Sequence, residues 1–394
     1  MNYIKNSRKG TKMKKKLNLE ILEDRCTPAT LLWRPSVSNF WQDNRNWIDR
    51  ATNTNPVNPP LFTDDCIFDQ NSGLNCLIRQ SVDCQSISSN NWNGSVDDSG
   101  GTLNVDGGNS SWTRGSFDCP TQVGVLNING GNFTYTAAKI NGVANAQQIT
   151  VYVQNLGGLT FGPGWTDLGI TFLNVGTSAA VPHADSTGTV FVSGTTGFSA
   201  NSNINVSPKG WLKLNTNAKL MSCAGLLVNG GNLTVDNSTI TMLQGRTLVL
   251  ANGAYFYTGN TGTSTINGDM RAVIGSNIYF GRQVGNYVVL TVNGTLTLDS
   301  GELDMKVNGD TLGGNGNSDH LIVNNLVLNN ETLELATDTN IIGQPMQGNH
   351  SYEIITATPG GISGEFSAIT YGGGWNWIVA FDYLMGTVTA EGTV

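Results

Sequence analysis

One short phrase recurs along the chain and limits what it can fold into. It reads GTLNVDGGN at 101–109, GVLNINGGN at 124–132, AGLLVNGGN at 224–232 and GTLTLDSGE at 294–302. Each copy is an alternating apolar run, a Gly-bearing turn and the start of a second alternating run. Alternation of period two sends successive side chains to opposite faces of a strand. Gly and Asn are the residues a tight left-handed turn accepts. Chains that repeat such a unit stack similar coils on a shared core rather than assembling one singular pocket.

The first two copies open 23 residues apart, the later ones 100 and 70 apart, and weaker relatives open at Gly188, Gly210 and Gly245. A unit of roughly 20–25 residues suits one coil of a parallel β-helix. Other alternating runs lie between the copies, among them 150–153, 189–192, 211–214, 247–250 and 287–292. No stripe of helical period is sustained after residue 30. Only 13% of residues are charged and 49 are Gly, against roughly 25% charged in an ordinary soluble domain. The expected fold is all-β, a right-handed parallel β-helix with a small sandwich-like C-terminal end. An antiparallel sandwich is the competing arrangement, because Gly-Gly-Asn and Asn-Gly also close hairpins. Asn side chains stacked on successive coils would hydrogen-bond one another, which accounts for Asn at the turns without a ligand.

Charge is distributed unevenly. Seven of the 21 Lys and Arg residues lie in the acid-free stretch 1–16, so the remainder carries 14 basic against 29 acidic residues. An acidic body with scattered bases offers no footprint for nucleic acid. The sequence has no run of eighteen apolar residues of the kind that spans a membrane as a helix. The basic start is followed by LNLEILEDRCTPA at 17–29, whose charges disqualify it as the apolar core of a secretory signal. Instead, Leu19, Glu20, Leu22, Glu23, Asp24 and Arg25, followed by Pro28 and Ala29, resemble the L-E-x-L-E-D-R-x-x-P-A signature of planctomycete-type exported surface proteins. That resemblance implies export to the cell envelope or beyond, with these residues as a targeting motif.

Two further stretches carry a resemblance. Trp33, Phe40, Trp41, Trp47, the prolines at 56, 59 and 60, and DDCIFD at 64–69 are similar to the opening of autotransporter-associated β-strand repeat proteins. On physical grounds these indoles cap the open end of a solenoid, where apolar coil ends would meet water. Sugar stacking on Trp41 and Trp47 is the alternative reading. Near the other end, 319–328, 332–335, 352–358 and 361–366 resemble the C-terminal part of passenger-like secreted solenoids. The strands of a membrane barrel that would complete an autotransporter are not expected from the sequence to Val394. The pattern divides the chain into a leader with export motif (1–30), a Trp-rich cap (31–95), solenoid repeats (96–310) and a C-terminal β region (311–394).

Candidate chemistry is sparse. His183, His320 and His350 show no metal-ligand spacing, and Asp319 beside His320 would point to the opposite face of a strand. Of Cys26, Cys66, Cys76, Cys84, Cys119 and Cys223, none form C-x-x-C. Cys66, Cys76 and Cys84 either hold one disulfide or lie buried as free thiols. The oxygen-rich stretch from Asp304 to Asp319 matches no calcium loop. Acids such as Asp106, Asp236 and Asp299 sit singly in turns, and Lys139, Lys209, Lys213, Lys219, Arg246, Arg271 and Arg282 are scattered. The expectation is a non-enzymatic, adhesin-like surface solenoid with no catalytic residue, metal or cofactor, and with extracellular polysaccharide or cell-envelope components as partners. The alternatives are a polysaccharide lyase or glycoside hydrolase of β-helix type, or a carbohydrate-binding module. Two or more carboxylates and a base gathered in one groove on adjacent coils would favour the enzyme.

Overall fold

The fold is that of a computed structural model. It describes residues 28–393 apart from 74, 115, 119–123, 136–148, 155–156, 162–169, 177–187, 194, 198–202, 261, 282–285, 309–317, 339–349 and 373–375. Among the described residues the only helical element is a single 3-10 turn, Asn44–Asn46. Everything else regular is strand. The chain is a β-solenoid: strands one coil apart pair in parallel, and successive coils build three sheets. Parallel register rules out the antiparallel sandwich, which would pair sequence neighbours instead.

The first sheet has fifteen strands. It runs from Thr30–Trp33 through Gly210–Leu214, Asn232–Val235, Tyr255–Tyr257, Asn277–Tyr279, Glu302–Asn308 and Thr332–Asp338 to Ala368–Gly372. Trp211, Asn232, Tyr255 and Asn277 share one position on four successive coils, so those coils take 21, 23 and 22 residues. Further on, the same position passes to Glu302, Thr332 and Ala368, with steps of 25, 30 and 36 residues. The second sheet includes Lys219–Cys223, Thr239–Met242 and Gly262–Asn267, and the third Gly124–Asn129, Gly225–Asn229 and Thr247–Ala251. Val288–Asp299 and His320–Asn329 each run through both of these sheets, with an irregularity near Val292 where the chain turns the corner.

The recurring phrase is one corner of the coil. Its third residue is Leu103, Leu126, Leu226 or Leu296, and all four lie in a single buried column of the third sheet. Val151, Leu173, Ile204, Leu248, Met270 and Leu326 complete the column. Each such side chain contributes about 1.5–3 kcal/mol by leaving water, which is why alternation alone picks the inward face. The seventh residue turns the corner with positive φ at Gly130 (98°), Gly230 (71°) and Ser300 (59°). At the eighth, the next coil passes so close that a Cβ on Gly231 would lie 2.4 Å from the Ser207 carbonyl oxygen, and one on Gly301 2.0 Å from that of Ser276. Only glycine fits there. Outside the corner, amides form ladders: Asn127 donates to Asn104 (2.7 Å), Asn129 to Asp106 (2.8 Å) and Asn293 to Asn267 (2.8 Å).

The two ends are closed differently. At the N-terminal end Trp47–Asp49 pairs antiparallel with Thr30–Trp33, and Trp33, Trp41 and Trp47 are fully buried around Phe68. At the C-terminal end the pairing turns antiparallel, with Asn376–Asp382 and Thr387–Thr393 forming a hairpin added to His350–Thr356.

Candidate functional site

The outer face of the first sheet carries the chain's one dense array of exposed rings and carboxylates among the described residues. Because side chains alternate, the residues flanking inward Leu212, Leu233, Phe256, Ile278, Leu303 and Leu333 point outward. One outer column is Trp211, Asn232, Tyr255, Asn277, Glu302 and Thr332; its neighbour is Lys213, Thr234, Tyr257, Tyr279, Asp304 and Glu334. Trp211 and Tyr255 are 41% and 37% exposed, too much for core residues.

The rings are held in place by neighbours. The Trp211 indole Nε1 donates to Thr234 Oγ1 at 2.9 Å, and Lys213 Nζ lies 5.9 Å from the indole centroid. Tyr255, Tyr257 and Tyr279 lie with centroids 5.5–6.2 Å apart and planes within 12–18°. Asn277 Nδ2 donates to the Tyr279 hydroxyl at 3.3 Å. Burial pushes that phenol above its ordinary value.

The carboxylates follow on the next two coils. Glu302 is hydrogen-bonded to Glu334, and this contact, with some burial and the nearby Asp304, pushes its carboxyl up to about 7. The Glu302 carboxyl therefore holds its proton more readily than an ordinary glutamate. Two carboxyls in direct hydrogen bond are closer than the roughly 5–5.5 Å of a retaining glycosidase pair, and far closer than the roughly 6.5–9.5 Å of an inverting one. Lys306, on the same strand, sends Nζ 2.7 Å to the Asn286 carbonyl and over the Tyr287 ring at 5.8 Å. The array has carboxylates on adjacent coils, without the spacing that glycoside hydrolysis uses.

The residues singled out in the sequence lie elsewhere. Trp41 and Trp47 are fully buried, with ring centroids 4.9 Å apart at 68°, and Trp47 Nε1 donates to the Trp41 carbonyl at 2.9 Å. Sugar stacking on them is thereby excluded: neither ring face reaches solvent, and they act as a cap. Of the targeting motif, Leu19, Glu20, Leu22, Glu23, Asp24 and Arg25 lie outside the described residues, and Pro28 is exposed. Cys66, Cys76 and Cys84 are buried free thiols, not a disulfide. Burial pushes the Cys66 and Cys76 thiols well above their ordinary value. Cys26, Cys119 and the Cys223 side chain are outside the described residues.

His183 and the His350 side chain also lie outside them. His320 Nε2 sits 2.7 Å from Thr356 Oγ1, but that hydroxyl donates to Glu353 Oε1 at 2.5 Å. A hydroxyl whose proton is committed to a carboxylate is not activated by the imidazole. Asp319 is buried, its Oδ1 accepting from Val288 N (3.0 Å) and its Oδ2 from Lys306 N (2.7 Å), so it clamps two chain segments together. Most of the oxygen-rich stretch before it, 309–317, is outside the described residues. Among the described residues no three His, Cys, Asp or Glu side chains form a metal-holding group, and no helix is long and apolar enough to cross a membrane. Sequence reasoning missed the Trp211–Tyr279–Glu334 array. Its signal was the YFY triplet at 255–257 falling two coil lengths after Trp211.

No protein-family model matches the chain, and no curated protein does. Among solved structures, the chain is similar to the crystal structure of the Haemophilus influenzae Hap adhesin, at 12% identity and a TM-score of 0.37. The similarity covers 85% of this chain and 43% of that one, so this chain spans less than half the length of the solved protein.

Proposed function

We propose that this chain is a non-enzymatic, adhesin-like β-solenoid exported to the cell surface or beyond, acting as a stiff rod that displays side chains at fixed spacing. The observation that carries this reading is the unbroken first sheet from Thr30 to Gly372. Fifteen strands at about 4.8 Å spacing make a rod roughly 65 Å long. Along its surface many polar groups are already satisfied by the neighbouring coil, as in the pairs Asn104–Asn127, Asn229–Asn252 and Asp299–Asn329. A structural surface of this kind supports display better than turnover. The export motif at 19–29 supports the location.

The test is made on intact cells of the native host. An antibody raised against the full chain is expected to label the surface or the medium, and protease added outside the cells is expected to remove the signal. Intact protein retaining residues 1–27 and confined to the cytoplasm would overturn the reading.

One observation favours a second reading, a carbohydrate-acting enzyme: Glu302, Asp304 and Glu334 lie on adjacent coils of one face. New reducing ends released from a polysaccharide by the pure protein, and abolished by Glu302→Gln, would establish that reading instead.

A further inference from the structure

The outer face of the first sheet contains a gap that the stacked rings do not fill. Trp211 and Tyr257 stand two coils apart, with Asn232 and Thr234 on the coil between them. Tyr257 lies diagonally from Trp211, two strand steps of 4.7–4.9 Å across the sheet and two residues further along the strand, so their backbones are roughly 11–12 Å apart and the two rings face each other across the neighbouring columns. A saturated six-membered ring in van der Waals contact with an aromatic on each side needs roughly 7–8 Å, at about 3.5–4.0 Å per contact. The hollow has a volume of about 430 Å³, and Lys213 and Asn260 also line it.

Its walls are set before any ligand arrives. Trp211 is tied to Thr234 through its indole N–H. Tyr257 is backed by Tyr279, with centroids 5.5 Å apart and planes 16° apart. Such preorganisation lowers the ordering cost of binding. Thr234, small and buried beside the indole, forms part of the floor between the two rings.

The geometry points to a glycan-binding site: the slot between Trp211 and Tyr257 takes a hexopyranose residue of an extended neutral polysaccharide, and Tyr255 and Tyr279 extend the contact along the rod. The C–H faces of a pyranose are apolar and suit the two rings. Its equatorial hydroxyls need donors and acceptors together, and the Asn232 and Asn260 amides offer both. Charge argues for an uncharged chain. A polyanion lying along the columns would meet Glu302, Asp304 and Glu334, and a polycation would meet Lys213 at the other end. The site does not depend on where the protein resides.

Affinity electrophoresis of the full chain decides the matter, in gels holding a soluble β-glucan, a galactomannan or polygalacturonate. Retardation by at least one of the two neutral polymers is expected. Trp211→Ala and Asn260→Trp should each weaken it at least tenfold. Asn260 is exposed, so its replacement blocks the slot without entering the core, and an unchanged far-UV spectrum and melting curve verify the fold. Parent mobility in both neutral gels would overturn the proposal, as would undiminished retardation of a folded Asn260→Trp. Retardation by polygalacturonate alone would overturn it too.

Discussion

Replacing Phe68 by alanine should loosen the N-terminal end of the rod while leaving the far coils standing. The Phe68 ring is fully buried, with Trp92 at 4.5 Å, Trp112 at 5.6 Å, Trp47 at 5.7 Å, Trp33 at 5.8 Å and Trp41 at 6.2 Å between centroids. Truncating a buried Phe costs about 3–5 kcal/mol through lost transfer energy and the cavity left behind. Aromatic pairs add about 0.5–1.5 kcal/mol each beyond burial, so five partners place this site near the upper end, about 4–5 kcal/mol. In a solenoid each coil touches only its neighbours, and the loss falls on the coils that hold those indoles. Five of the nine tryptophans are in this cluster, which makes fluorescence a reporter of this end and far-UV circular dichroism a reporter of the whole rod. With a urea slope of about 2 kcal/mol per molar, the fluorescence midpoint should fall by roughly 2 M, and the main dichroism transition by much less. Leu296→Ala, in the third-sheet column far from the cap, should give the reverse pattern. An unmoved fluorescence midpoint would refute the cap; equal shifts in both probes would refute its local character.

Two further outcomes follow from the packing and the carboxyls. Gly231→Ala should destabilise by about 1–3 kcal/mol or more, since its Cβ must displace the adjacent coil. Gly107→Ala, with nothing within 4 Å of a Cβ, should stay within about 0.5 kcal/mol; equal effects in urea melts would dismiss the close-approach argument. Glu302, Asp319 and Glu331 are each pushed up to about 7, the first mainly by Glu334 and the others by burial. Their folded values exceed the unfolded ones, so the stability they contribute is complete below the ordinary carboxylate range and is lost as pH rises toward 7. Burial holds His320 below its ordinary 6.5, so its contribution runs the opposite way and is lost as pH falls. Three carboxyls outweigh one imidazole, and the melting temperature should be higher at pH 5 than at pH 8. Glu334→Gln should shrink that difference; a melting temperature that climbs with pH would show the signs to be wrong.

Much of the architecture was legible in the residues. Alternation around Leu103, Leu126, Leu226 and Leu296 marked strands and named their inward faces, because the strand period is set by the backbone. Gly-Gly-Asn marked the corners, because left-handed φ and a missing Cβ are local demands. Trp41 and Trp47 were legible as large rings to be covered, yet the choice between a cap and a sugar platform depended on what packs over them: Trp33 and Phe68, which belong to the paired strands on either side.

The outer columns were not legible, and the reason lies in register. Which residue stands over which depends on the summed length of each coil, here 21, 23 and 22 residues between Trp211 and Asn277 and 25 and 30 beyond it. One residue more or less in a coil would turn a strand's side chains to the other face. Composition and period therefore establish a rod of stacked strands with glycine corners. Only the closed coils bring Trp211, Tyr257, Tyr279, Glu302 and Glu334, spread over more than a hundred residues of sequence, onto a single face at successive strand spacings. The recurring phrase accounts for the scaffold, and the coil lengths between its copies account for what that scaffold displays.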